Sequence, residues 1–118
     1  MESIGIRVAS LLGEIGQSIK DDLAQTVLHD FPLSSIYVLA ALYEKDSQRA
    51  SDLARALKVP ATSFTPTLDR LENAQLIARS PHDTDRRSVV ISLTAASKKL
   101  QRAVENAIGN AEVRYGGK

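Results

Sequence analysis

Apolar residues recur at every third or fourth position through the first segment: Ile4, Val8, Leu12, Ile15, Ile19, Leu23 and Val27, with Leu11 and Leu28 widening the stripe. This is the helical period. It predicts a long amphipathic helix over residues 2–28, ended at Phe31-Pro32 because the residue before a proline avoids the helical region. A second stripe (Leu100, Val104, Ala107, Ile108, Ala111) predicts a last helix, capped by Thr94 and running to about Tyr115 before Gly116-Gly117. A helix of about 25 residues is about 37 Å long, whereas a compact domain of about 100 residues has a radius of gyration near 13 Å. One subunit of 118 residues cannot cover both stripes, so a two-fold homodimer is expected, with the terminal helices as its interface. Gly13 and Gly16 each cost the first helix about 1 kcal/mol against alanine. They mark a break or let another helix approach closely.

The length is that of one domain. With no cysteine, disulfides, zinc thiolate sites and thiol redox sensing are excluded. His29 and His82 lie far apart without ligand spacing, so no metal site is expected. Residues 1–20 hold Glu2, Arg7, Glu14 and Lys20, too many charges for a signal peptide, and no run of about 18 apolar residues exists to span a membrane. A cytoplasmic location is expected. The net charge of +1 conceals an asymmetry. Residues 1–47 carry three Lys/Arg and seven Asp/Glu, residues 48–102 ten and five, and residues 103–118 two of each. A basic middle between acidic or neutral ends points to one face for a polyanion.

Between the terminal helices the pattern changes quickly. A nearly all-apolar helix is predicted over Ser35–Lys45, with Ser34 as N-cap and residues 46–49 as a polar connection. Helices follow over Ser51–Leu57 and Ala61–Ala74, separated by Val59-Pro60, which sets them at a steep angle. Ile77–Arg79 reads as a short strand, Ser80–Arg87 as a polar turn, and Val89–Leu93, rich in β-branched residues, as the returning strand. The fold class is mainly α with a small β-hairpin wing. The order is that of a winged helix-turn-helix, with residues 1–31 and 95–118 for dimerisation and residues 33–94 as the DNA-binding lobe.

In the helix-turn-helix, Leu53, Ala54 and Leu57 can pack against Val59, Phe64, Leu68 and Leu71. Thr62, Ser63, Thr65 and Thr67 then lie near the start of the second helix. Short hydroxyl side chains there suit a helix lying in the major groove, its first residues reaching base edges and phosphates. Arg49, Ser51 and Arg70 complete the candidate set on the helices. On the hairpin tip, Asp85, Arg86 and Arg87 follow Asp83. An arginine on a thin ribbon can enter a narrow minor groove, and a nearby aspartate can hold its guanidinium in a forked pair. No nucleophile–base–orienter set and no glycine-rich phosphate loop is visible, and Asp21-Asp22 occupy consecutive helix positions that point apart. An enzyme is not expected, nor is a cofactor.

The run from Leu33 to Leu100 resembles the MarR family of winged helix-turn-helix regulators. It does so through Leu53-Ala54, Leu71-Glu72 with Leu76-Ile77, and Asp85-Arg86-Arg87 leading to Leu93-Thr94. The Asp-x-Arg wing followed by Leu-Thr is the most specific of these. The resemblance implies a dimeric, sequence-specific transcriptional regulator on a pseudo-palindromic operator in double-stranded DNA. It places the recognition helix in the major groove and the wing in the minor groove, with Asp85 and Arg87 as the paired wing residues. Two features within the matched run depart from the pattern. Lys58 stands in the turn where glycine is frequent, implying a strained or reshaped turn. Pro66 falls inside the recognition helix, and a start nearer Ser63 would bring it into the first turn, where proline is tolerated. Family members also often take small aromatic acids or lipophiles between the dimerising helices and the DNA-binding lobe. Phe31, Tyr37 and Tyr43 are the candidates for such an effector cleft. The competing reading is a winged-helix interaction module for a partner regulator; the basic 48–102 segment favours DNA.

Overall fold

In a computed structural model of the chain, residues 4–84 and 87–116 are described. The elements are α1 (Ile4–Asp22), a 3-10 turn (Val27–Asp30), α2 (Leu33–Glu44), β1 (Gln48–Arg49), α3 (Ala50–Leu57), α4 (Ala61–Asn73), β2 (Ile77–Pro81), β3 (Val89–Leu93), α5 (Ala95–Lys98), α6 (Gln101–Ala111) and a closing π-helical turn (Glu112–Gly116). The chain divides into two compact units. One joins its two ends, Met1–Leu33 and Arg102–Lys118, and the other is Ser34–Gln101.

In the unit made from the ends, Ile19, Leu23, Leu28 and Phe31 are buried, as are Val104, Ala107 and Ala111. Two side-chain bonds tie the segments together: Asn110 Nδ2 donates to Asp22 Oδ2 at 3.0 Å and Arg114 Nη1 to Ser18 Oγ at 3.0 Å. Gly16 has the close approach that its sequence context suggested. A Cβ there would stand 3.0 Å from Leu33 Cδ2, whereas one on Gly13 would meet nothing within 4 Å.

The first helix is shorter than its apolar stripe. It stops at Asp22, and the cause is Thr26. The Thr26 hydroxyl donates to the Leu23 carbonyl at 2.7 Å and accepts from the Leu28 amide at 3.1 Å. One side chain thus closes α1 and caps the 3-10 turn. Val27, counted into the stripe by its spacing, is 60% exposed. α2 starts at Leu33, so Ser34 lies in its first turn instead of capping it.

The last helix is also interrupted. Thr94 caps α5 as expected, in a reciprocal box with Ser97, but residues 99–100 form a turn before α6 begins. α5 is short and held by its cap: the Thr94 hydroxyl also donates to the Gln75 carbonyl at 2.8 Å.

Within Ser34–Gln101, three strands form an antiparallel sheet in the order β1-β3-β2. The hairpin matches the expected one, with Ile77 opposite Leu93 and Pro81 opposite Val89. Strand β2 therefore runs on through Ser80 and Pro81, which the sequence placed in the turn. Strand β1 occupies what reads as polar connection, pairing Gln48 with Ile91 and Arg49 with Val90. Asp46 prepares this pairing. Its Oδ1 accepts the Ser47 amide at 2.7 Å and the Leu93 amide at 2.9 Å, with Ser47 at φ 61°. The core of this unit is Ile36, Leu39, Leu42, Leu53, Phe64, Leu68, Leu71, Leu76, Ile77 and Ile91, all buried.

Candidate nucleic-acid interface

The turn between α3 and α4 decides where α4 points. Lys58 takes the left-handed conformation, φ 58° and ψ 43°. Its amide reaches back to Ala54 and Arg55, and the Val59 amide to the Ala54 carbonyl at 3.0 Å. This is the ending that helices usually give to glycine. A lysine holds it here, as its place in the sequence implied, at a cost of roughly 1–2 kcal/mol. Pro60 follows as N-cap of α4 and offers no side-chain bond to the first turn. The Ser63 and Phe64 amides both reach its carbonyl at 3.1 Å.

With the turn fixed this way, α4 starts at Ala61 and Pro66 becomes its sixth residue. The helix start does not shift toward Ser63 to place the proline in the first turn. Pro66 has no N–H, so α4 lacks the main-chain bond that position 66 would make to the Thr62 carbonyl.

The burial of α4 follows its period. Phe64, Leu68 and Leu71 face inward, and Thr62, Ser63, Thr65, Asp69 and Arg70 are exposed. Thr67 departs from the other hydroxyl candidates. It is half-buried, with its Oγ1 donating back to the Ser63 carbonyl at 3.4 Å. Ser51 is exposed on the first turn of α3.

Arg49 is half-buried at the junction of β1 and α3, and its Nη2 lies 3.2 Å from His82 Nε2 at the base of the hairpin. The other ring nitrogen, Nδ1, receives the Thr84 amide at 3.2 Å and stands 3.2 Å from Thr84 Oγ1. Arg49 and the wing base are thereby linked. Arg87 is exposed beyond this link. Asp85 and Arg86, and with them the expected Asp85–Arg87 pair, lie outside the described residues.

Sequence reasoning passed over Arg79. From β2 its Nη2 donates to Asp69 Oδ1 at 2.5 Å, and its Nε faces Glu72 Oε1 at 3.5 Å. The signal was present as two acids one helical turn apart, followed by an arginine in the next strand. Of the three aromatic candidates for an effector cleft, Tyr37 lines a cavity beside α4. Phe31 is buried in the other unit. Tyr43 uses its hydroxyl on the Ser97 carbonyl at 2.5 Å.

Among the described residues no helix is long and apolar enough to cross a membrane, and no group of three or more His, Cys, Asp or Glu is placed to hold a metal ion.

Comparison with known proteins starts from the same stretch. The MarR family profile matches residues 31–89, half of the chain. The chain is 32% identical over 83 residues to the uncharacterized HTH-type transcriptional regulator YfiV of Bacillus subtilis (strain 168), covering 70% of this chain and 52% of that one. It is 38% identical over 61 residues to the HTH-type transcriptional repressor MdtR of the same organism, covering 52% of this chain and 39% of that one. The chain thus spans about half or less of the length of these curated relatives. Among solved structures, reduced AbfR bound to DNA aligns with a TM-score of 0.78 at 26% identity, over 91% of this chain and 75% of that one; AbfR is a protein of Staphylococcus epidermidis. The matched stretch holds α2, the α3–turn–α4 pair and the hairpin up to the first residue of β3. With the helical order and the wing agreeing with that profile and with a solved neighbour, this chain belongs to the MarR family.

Proposed function

We propose that this protein is a sequence-specific DNA-binding transcriptional regulator, a repressor that binds a palindromic operator as a homodimer. The observation that carries the reading is the exposed face of α4. Thr62, Ser63, Thr65 and Arg70 lie on it, over a core-facing row of Phe64, Leu68 and Leu71. Such a face suits a major groove, where hydroxyl and guanidinium groups read base edges. The uncapped first turn of α4 suits a phosphate, because helix N-termini attract anions. Arg49 and Arg87 extend the basic surface toward the hairpin, where an arginine fits the minor groove.

The homodimer rests on the unit that gathers both ends of the chain. Part of its apolar stripe is covered by its own chain, since Ile19, Leu23, Val104, Ala107 and Ala111 are buried. Val27 and Val113, 60% and 82% exposed, are apolar residues of this unit available to a second copy. In a two-fold dimer the half-sites stand about 10–10.5 bp apart. The DNA-bound state of AbfR and the repressor name of MdtR support the same reading. Relief by a small effector and a cytoplasmic location complete the proposal.

The experiment is selection of bound sequences from random duplex DNA, paired with sedimentation of the free protein. A near-palindromic motif and a dimer are expected. An unstructured motif with a well-behaved monomer would favour a winged helix that docks on a protein partner. Affinity for the selected site is expected to fall steeply with salt, as phosphate contacts release counterions.

A further inference from the structure

Arg49 occupies a place that usually belongs to a capping residue. It is the N-cap of α3, a position that favours Ser, Thr, Asp or Asn, and its side chain makes no cap bond. The guanidinium is used elsewhere. Arg49 pairs with Val90 of β3, and Val90 in turn pairs with Ser80 of β2. Residues two apart on a strand share a face, so His82, two beyond Ser80, continues the face that carries Arg49. Ile91, next to Val90, is buried in the core, which makes this the outer face of the sheet. With β3 as the middle strand, the Arg49 side chain reaches across it, and its Nη2 meets His82 Nε2 at 3.2 Å.

His82 is itself fixed by the hairpin. Its amide donates to the Ser88 carbonyl at 2.9 Å, and its Nδ1 receives the Thr84 amide at 3.2 Å. Each ring nitrogen therefore meets a group that can only donate, a guanidinium at Nε2 and a main-chain amide at Nδ1. A neutral imidazole has one lone pair to offer, and an imidazolium has none. The neutral ring holds Arg49 when that lone pair is on Nε2, and Thr84 Oγ1, 3.2 Å from Nδ1, is then placed to accept the ring N–H. A protonated ring holds neither donor and sets a second positive charge against Arg49.

The charged group set against the ring from β1 is Arg49. The hairpin itself carries Asp83 and Arg87, both exposed, and the adjoining α3 carries Asp52, paired with Arg55 at 3.2 Å.

We propose that His82 is a positioning residue for Arg49: it holds the guanidinium at the junction of β1 and α3 in the orientation used on DNA, and its protonation releases that hold. A side chain ordered before binding costs less to order on binding, so the held Arg49 meets a phosphate already aligned. The consequence for DNA rests on the operator-binding reading above; the hold itself does not.

The test measures operator affinity at about pH 8 and about pH 5.5, either side of the range in which a histidine changes charge. It uses the full-length parent, His82→Ala, His82→Gln and Arg49→Ala, the last also combined with His82→Ala, together with ring-nitrogen spectra of the isotopically labelled protein without DNA. At the higher pH, His82→Ala should lose about fivefold in affinity, the size of one hydrogen bond, with an unchanged salt slope because Arg49 keeps its charge. His82→Gln, whose side-chain oxygen accepts from a guanidinium at either pH, should bind like the parent at the higher pH. At the lower pH the parent should fall about fivefold below His82→Gln. In the Arg49→Ala background, losing His82 should cost nothing more. In the free protein at the higher pH, His82 Nε2 should give the signal of an unprotonated nitrogen and should move in Arg49→Ala.

Parental affinity in His82→Ala at the higher pH, no rescue by His82→Gln, or parallel pH profiles for the parent and His82→Gln would overturn the positioning role. A parent that gained on His82→Gln at the lower pH would overturn it too, since the protonated ring would then be touching phosphate itself. A proton on Nε2 at the higher pH would overturn the hold. If His82→Ala fails to fold, His82→Gln and the ring signals decide. A protein that bound no duplex would sink the regulator reading and leave the ring spectra to decide the hold, whereas operator binding indifferent to every change at His82 would sink only the positioning.

Discussion

Arg79 of β2 holds Asp69 of α4 by a side-chain hydrogen bond and ion pair of 2.5 Å, and the same guanidinium faces Glu72 one turn further on. The second contact, at 3.5 Å, is an ion pair without hydrogen-bond geometry. Because Arg79 leaves the strand that carries the wing, this grip sets how far α4 can rotate or slide against the hairpin. In the proposed complex α4 and the hairpin read DNA together and have to keep a fixed spacing, so the pair would position that interface without belonging to it.

Arg79→Ala is therefore expected to lower operator affinity about tenfold while leaving the salt dependence unchanged, since a residue that neutralises no phosphate releases no counterion. Its cost in stability should be modest, about 1 kcal/mol, as the partners are partly solvated. Asp69→Ala should give a similar loss, and the double variant no more than either alone. Binding isotherms at several salt concentrations decide this. A flatter salt slope for Arg79→Ala would mean that Arg79 touches DNA directly.

Gln75 ends α4 at φ 63°, with the Leu76 amide reaching the Leu71 carbonyl at 2.9 Å. This is the same ending that Lys58 gives α3. Its side chain is exposed, so nothing but the backbone is at stake. Gln75→Gly relieves the left-handed strain, partly offset by the extra entropy of glycine in the unfolded chain. A gain of about 1 kcal/mol is expected, a rise of a few degrees in Tm for a chain of this size. Thermal unfolding with unchanged operator affinity would bear this out, and a fall in Tm would refute it.

Ser35 is fully buried in α2, and its Oγ has no hydrogen-bond partner among the described residues. An unmet buried hydroxyl costs about 1–3 kcal/mol. Ser35→Ala removes the hydroxyl and only a small volume, so it should raise the denaturant midpoint by an equivalent of about 1 kcal/mol with an unchanged m-value. A lowered midpoint would show that the hydroxyl has a partner in solution.

What was legible in the sequence was whatever repeated. The period of α3 and α4 and the β-branched run Val89–Leu93 put those elements within a residue or so of their observed bounds. The resemblance placed Lys58 in a strained turn, and the backbone confirms it. What escaped was decided by single side chains or by partners far along the chain. Thr26 stopped α1 although the apolar stripe ran on. Strand β1 has two residues, too few for any alternation, and exists only because Ile91 and Val90 pair with it. Pro66 suggested a later start for α4, but the turn at Lys58 and Pro60 had already fixed Ala61 as the first residue. Thr67 and Thr65 look alike in sequence, and only the rotation of the helix separates a half-buried residue from an exposed one.

That separation gives a sharp expectation for specificity. Thr65 is exposed on α4, whereas Thr67 is half-buried with its hydroxyl turned back onto the Ser63 carbonyl. In the proposed complex, Thr65 faces base edges, where a good contact discriminates by about 1–3 kcal/mol. Thr65→Ala should relax the preference at one position in each half-site and leave non-specific affinity almost unchanged. Thr67→Ala should leave the selected motif as it is and change only stability, slightly. Arg87→Ala should weaken binding strongly while altering preference only at the flanks, because the minor groove reads chiefly A·T against G·C and groove width. Binding-site selection repeated on the three variants distinguishes these roles. A motif changed by Thr67→Ala would mean that α4 rotates on binding DNA. Parental affinity in Arg87→Ala would reduce the wing to a turn, and an unchanged motif in Thr65→Ala as well would move the function of this surface to a protein partner.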